Sequence, residues 1–216
     1  MHKKLVAQVA GDRGLTFELQ PLANLELLLI DKETELATLK KAIPVIETEL
    51  QKLTEATAHK SKIIYFHGKE GLEQVTWNST KACGTLRIYE VAESMTAFLS
   101  QSFSEKVRQE FVTNKVAIKQ LTNLRHIGNY TKVAELVDHY WEARFIDKKK
   151  LDIKFETLVY NDVLALYTFQ EDELFCVEVH NPYLAQMQTQ LFDFVWGFAK
   201  RMHIISSGGE AVLRGK

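Results

Sequence analysis

Two short pairs in this chain have the residue types for phosphoryl chemistry, His2-x-Lys4 and His67-x-Lys69. A histidine can attack phosphorus and hold the phosphoryl group covalently while a lysine balances its charge and an aspartate orients the ring. The pattern that does this is His-x-Lys-x4-Asp, with the aspartate seven residues after the histidine. Here those positions hold Val9 and Gln74, so neither pair is completed. The chain also lacks a Gly-x-Ser-x-Gly elbow, a P-loop, a His-Glu-x-x-His helix and a dinucleotide-binding glycine triplet. His126, His139 and His180 show no ligand spacing and read as solvated or core residues. The expectation is a non-enzyme with no catalytic residue, no cofactor and no metal.

Binding is the more promising chemistry. In His67-Gly68-Lys69-Glu70-Gly71 a strand runs into a glycine turn and a helix start, where free N–H groups and the helix dipole favour anions. His67, Gly68, Lys69 and Gly71 are therefore candidate ligand contacts. The competing reading is that the glycines only permit the turn. Arg144, Lys148, Lys149, Lys150 and Lys154 face only Asp147 and Asp152, which reads as a solvated loop or a phosphate contact. Near the N-terminus, Lys3, Lys4 and Arg13 are candidates for DNA phosphates, opposed by Asp12 and Glu18.

The elements that must position these groups begin with a small hairpin, strands 4–9 and 15–19 around Gly11-Asp12-Arg13-Gly14. A long helix is expected from Pro21 to about Ala58. Along it Leu22, Leu25, Leu29, Lys32, Leu36, Leu39, Ile43, Ile46, Leu50 and Leu53 are spaced alternately three and four apart, and all but Lys32 are apolar. This is a heptad seam, narrower than the face of a helix packed on its own domain, and it predicts a dimerising coiled coil. Lys32 is a misfit that can fix register. Pro44 predicts a kink or two abutting helices.

From Lys62 the pattern changes to strand–helix–strand–helix–strand: 62–67, a helix to about Ala82, 85–91, a helix from Ser94 to about Val112, and 116–121. That alternation predicts a parallel sheet with right-handed crossovers. After a helix near 131–139, strands 143–146, 154–160, 163–169 and 174–179 predict an antiparallel meander on the sheet edge. Asn181 and Pro182 start a closing helix that runs to about Met202. Residues 206–216 read as a flexible tail. The fold class is α/β with a mixed sheet, in four parts: 1–20, 21–58, 62–205 and 206–216.

The bulk numbers exclude other classes. With 27 Lys and Arg against 28 Asp and Glu, there is no global pull toward nucleic acid or anionic membrane. No apolar run approaches a membrane span, and the N-terminus lacks a signal peptide, so the cytoplasm is expected. Cys83 and Cys176, far apart in apolar surroundings, read as buried free thiols.

The order of parts resembles the TrmB-type transcriptional regulators, known in archaea and some bacteria for sugar-responsive control. Residues 14–50 resemble the family's last wing strand, linker and coiled coil, including the proline late in the helix. KIIYFHGKEGLEQV (62–75) resembles the opening of its phospholipase D-like effector domain, ETLVYNDVLALYTF (156–169) the central hairpin, and NPYLAQMQTQLFDFVWGFAK (181–200) the closing helix with its Phe-x3-Trp ending. The resemblance implies that Lys154-x-Glu156-x4-Asn161 lies where a lipase-like relative has His, Lys and Asp, with all three replaced. Glu156 and Asn161 then join the ligand candidates. The sequence departs from the family in two ways. Only the hairpin resembling a wing precedes the coiled coil, with no recognition helix, and the further β-rich domain of the family's sugar sensors does not follow the closing helix. The implied protein is a homodimeric regulator with a small-molecule effector, sugar being open, and DNA as partner if a complete reader is present. The alternative is a stand-alone dimerisation module without its own DNA reader, and a weaker one is a phosphodiesterase.

Overall fold

Glycine at both ends of a tight reversal lets two short strands pair closely: β1 (Val6–Gly11) and β2 (Gly14–Leu19) form an antiparallel hairpin in which Gly11 pairs with Gly14. The computed structural model describes residues 6–11, 14–19, 24–54, 61–92, 94–168 and 175–214. Lys3, Lys4, Arg13 and Leu22 lie outside these, as does the side chain of Leu53. The chain divides into two units, Met1–His59 and Lys60–Lys216.

In the first unit α1 (Asn24–Thr54) is one helix of 31 residues that runs uninterrupted through Pro44. Of the two expectations, a kink or two abutting helices, the second is replaced by a single helix of about 46 Å. Thr48 Oγ1 donates to the Pro44 carbonyl at 2.8 Å, and Thr34 and Thr38 make the same one-turn bond to Ile30 and Thr34. Leu25, Leu29, Leu36, Leu39, Ile43, Ile46 and Leu50 are 50–61 % exposed along it. Lys32 is exposed and pairs with Glu35 on the same helix.

The second unit contains β3 (Lys62–Phe66), α2 (Gly68–Ser79), β4 (Thr85–Glu90), α3 (Gln101–Thr113), β5 (Ala117–Thr122), β6 (His126–Ile127) and β7 (Trp141–Phe145). It continues through β8 (Glu156–Tyr160), β9 (Val163–Tyr167), β10 (Cys176–His180), α4 (Pro182–Phe198), β11 (Lys200–Arg201), β12 (His203–Ile204) and β13 (Ala211–Val212). Eight strands form one mixed sheet in the order β11-β7-β5-β4-β8-β9-β10-β3. The α/β class expected from the sequence is observed, with β4, β5 and β7 parallel.

The meander is placed differently from the expectation. It lies in the middle of the sheet: β8 pairs antiparallel with β4, and β10 with β3. β3 is therefore an edge strand, separated from the parallel strands it was expected to join. The four reversals from β4 to β3 leave both pointing the same way.

α2 and α3 cover one sheet face around Leu72, Val75, Ile88, Val107, Phe111 and Leu158. α4 covers the other with Phe192 and Trp196 against Leu121 and Ile146. Arg87 clamps Asp193 of α4 with two bonds of 3.1 and 2.8 Å, fixing that helix over β4.

Local chemistry explains the other corrections. The helix expected from Ser94 is split into a 3₁₀ turn at Met95–Ala97 and α3, because Ser94 and Ser100 each cap a new start. The helix near 131–139 is only a π-helical turn, Leu136–Tyr140. α4 stops at Phe198, and residues 206–214 are not a loose tail: β13 pairs with β6 and β12, with Ala211 fully buried. Cys176 is buried as expected, whereas Cys83 is exposed in the loop before β4.

Gly71 is needed for close approach. A Cβ there would meet the Phe66 Cβ at 2.8 Å and its carbonyl carbon at 2.9 Å. Backbone cannot yield cheaply, so Gly71→Ala is expected to cost about 2 kcal/mol in urea unfolding despite alanine's better helix propensity.

Candidate functional site

The ends of β4 and β8 bring two acids side by side. Tyr89 pairs with Thr157, so the next rung sets Glu90, the last residue of β4, beside Glu156, the first of β8. Alternation puts both on the same face as Ile88 and Leu158, under α3. Glu156 is 1 % exposed. Its Oε1 accepts the N–H groups of Val91 at 2.9 Å and Ala92 at 2.7 Å, whereas Oε2 has no partner among the described residues. Burial raises its carboxyl pKa well above the usual range, and the neighbouring Glu90 raises it further, against the two N–H bonds. Burial also pushes Glu90 up to about 7, with Arg108 pulling the other way.

Arg108, on the inner side of α3, is 1 % exposed. Its two terminal nitrogens donate to Glu105 and Ser94, each at 2.9 Å, and its guanidinium lies 5.0 Å from the Tyr130 ring centroid. Burial lowers its pKa, opposed by Glu105, and its Nε has no partner among the described residues. Glu105 in turn accepts from the Thr131 hydroxyl and the Lys132 N–H, both at 3.0 Å. Gln120 accepts from the Trp141 indole N–H at 2.7 Å.

Between Glu90, Ser94, Arg108, Gln120, Tyr130 and Trp141 is a cavity of about 40 Å³. That is room for about three waters or a ligand of similar size. The lining can donate from Arg108 and Tyr130 and accept at Glu90. It has no histidine or thiol nucleophile among its residues. Among the described residues no group of three His, Cys, Asp or Glu side chains could hold a metal ion.

The sequence candidates are dispersed. Glu156 alone is in this site. Lys154 is exposed and pairs with Asp152 at 3.3 Å. Asn161 sits at the opposite end of the sheet in the β8–β9 turn, with φ of 46°. There it accepts from the Cys83 N–H at 2.8 Å and donates to the Lys81 carbonyl at 3.0 Å, which staples the turn to the loop before β4. Lys154, Glu156 and Asn161 are therefore not assembled into one centre. His67 and Lys69 are exposed at the same sheet end as Glu156, but three strand spacings away, about 14 Å. The His67 side chain makes no cap bond, Gly68 has φ of +64° and Gly71 packs on Phe66. The two glycines are accounted for by the turn.

The sequence reading missed Glu90, Arg108, Gln120, Tyr130 and Trp141. A signal for two of them was present. Leu86, Ile88 and Glu90 alternate on one strand face, and Arg108 shares a helix face with Ser104, Val107 and Phe111. A second buried acid, Glu178, was also missed. It accepts from Asn78 at 3.0 Å and Tyr160 at 3.2 Å and contacts His180 at 3.0 Å, tying α2 to the meander.

No protein-family model matches this chain, and no curated protein matches it either. Among solved structures it is similar to TrmBL2, an archaeal chromatin protein with a novel mode of DNA binding, at 13 % identity over 92 % of this chain and 78 % of that one, with a TM-score of 0.47. It is also similar to Nuc from Salmonella typhimurium, a phospholipase D family member, at 11 % identity over 66 % of this chain and 98 % of that one, with a TM-score of 0.48. NucT from Helicobacter pylori has 7 % identity over the same shares, with a TM-score of 0.44.

The acid pair makes stability depend on pH in a defined direction. A carboxyl whose folded pKa is raised binds more protons in the folded state, so stability falls as pH climbs from the unfolded value of about 4.3 toward the folded one. For Glu90 that window ends near 7. Urea midpoints of the wild type should fall between about pH 5 and pH 8. Glu90→Gln should flatten that fall and be the more stable protein at pH 8.

Proposed function

We propose that this protein is a transcriptional regulator of TrmB type, in which a coiled-coil dimer carries a non-catalytic α/β domain that binds a small effector and controls DNA binding. The observation that carries this reading is the seam of α1. Seven leucine and isoleucine side chains repeat at heptad spacing and stay at least half exposed on the chain by itself. An apolar stripe of that width is buried by pairing with a second helix of the same kind. Two joined chains then place two DNA-contacting parts at a fixed separation.

The absence of catalysis is part of the proposal. It is supported by the dispersal of Lys154, Glu156 and Asn161 and by a cavity lined with no nucleophile of the His or Cys type. The cavity at Glu90 and Arg108 is the place for an effector, small and polar. Among the described residues no helix is long and apolar enough to cross a membrane.

Two measurements on the full chain test the reading. Sedimentation equilibrium should give a dimeric or larger mass, which Leu39→Glu should lower. Fluorescence anisotropy on DNA from upstream of its own gene should show binding that resists competitor DNA, and Leu39→Glu should weaken it about 100-fold through lost bivalency. Binding that vanishes with modest salt is phosphate attraction only, and would reduce the protein to a dimerisation module.

A further inference from the structure

α4 is apolar on two opposite sides. Ala185, Phe192 and Trp196 are buried against the sheet. Tyr183, Met187, Leu191, Phe194 and Phe198 are 48–81 % exposed on the other side. Their spacing of four, four, three and four residues puts them within one narrow stripe. The Phe194 and Phe198 rings meet edge-on at 5.0 Å.

β3 extends the apolar surface. Phe66 packs into the core on the α2 side, so alternation turns Ile63 and Tyr65, 58 % and 63 % exposed, toward the α4 layer. Asn181 Nδ2 donates to Ser61 Oγ at 2.6 Å and holds the start of α4 beside the start of β3. The stripe alone offers about 600 Å² per copy, and with Ile63 and Tyr65 about 850 Å². A standard specific interface buries about 800 Å² per partner. Soluble monomers rarely leave such a surface bare.

We infer that this outer face of α4 binds the same face of a second copy across a two-fold axis, as a self-association surface distinct from the α1 seam. In such an isologous contact, residues near the axis meet their own copies, and any charge there meets a like charge. α4 is built to avoid this. Its one acidic or basic residue between Pro182 and Phe198 is Asp193, already held by Arg87 at 2.8 Å and Lys119 at 3.8 Å. The stripe is flanked by exposed Gln186, Gln190 and Gly197, which are neutral and can hydrogen-bond or pack closely with their own copies. Within Pro182–Phe198 itself no lysine or arginine is present to favour a nucleic acid or an anionic membrane. Two separate two-fold surfaces on one chain join dimers into a larger assembly, of four chains where it closes.

The test is sedimentation equilibrium of the full chain with single and combined variants, far-UV circular dichroism confirming the fold. Phe194→Glu and Tyr183→Glu, both at exposed positions, should each halve the assembly mass. If α1 pairs as proposed, the wild type contains four chains, either α4 variant or Leu39→Glu contains two, and the combination contains one. If α1 does not pair, the wild type contains two and the α4 variants one, so the two readings fail separately. In a Cys83→Ser background, Gln190→Cys should form a disulfide between identical positions of two chains on oxidation. Folded α4 variants of unchanged mass, or no such cross-link, would overturn the inference.

Discussion

The carboxyl of Glu156 accepts the two N–H groups that follow β4, and most of the α/β unit is arranged around that contact. It joins the first residue of the meander to the turn that leaves the parallel strands, so the two kinds of sheet are sewn together at one buried acid. The same turn leads into Ser94, which holds Arg108, and Arg108 holds Glu105, which holds the Thr131 loop. One end of the sheet is thus a connected polar network under α3, beneath a layer that is otherwise aliphatic and aromatic. A buried acid normally costs stability unless it is neutral or fully bonded. Here one oxygen takes two N–H bonds, and burial raises the carboxyl pKa, which favours the neutral form.

The two faces of the sheet are held differently. The α2–α3 side has two helices, the π-helical turn and the small β6–β12–β13 sheet around one large core. The α4 side has one helix and five fully buried residues at its centre. A cation layer supplements that thin core: Arg144 lies 4.5 Å and Lys119 5.7 Å from the centroid of Trp196. Arg144 also donates to the Trp196 carbonyl at 3.0 Å. The residue that looked like the start of a solvated basic loop is therefore a packing residue of the α4 layer.

Periodicity made the elements of this fold legible, but not all of their partners. The heptad seam, the hairpin, the parallel pair β4 and β5 and the closing helix with its Asn181 cap follow from spacing and capping chemistry, whereas β7 was expected in the meander and is parallel to β5. The place of β3 does not, because its partner β10 lies about 110 residues further on and no local pattern distinguishes an edge from a centre. Ser94 and Ser100, both good caps, divide a stretch whose apolar period runs on without a break. The C-terminal residues looked loose because Ser206, Gly208 and Gly209 are loop formers. Their fold depends on Gly208 accepting the N–H groups of Tyr130 and Thr131, again a distant contact. At the site, sequence motifs drew attention to His67 and Asn161, whereas the buried charges arise where a strand face and a helix face each hide one charged group among apolar ones.

Pro44 gives α1 a mechanical character. Without an N–H it removes the one-turn bond to the Lys40 carbonyl, and the threonine hydroxyls bonded back to Ile30, Thr34 and Pro44 favour bending. α1 is therefore a rod with a softened joint about two thirds of the way along. Torque applied beyond Pro44 reaches the first turns only after the joint has taken up part of it. Rods paired in parallel would share that joint at one level, so such an assembly would flex there first and remain stiff on either side.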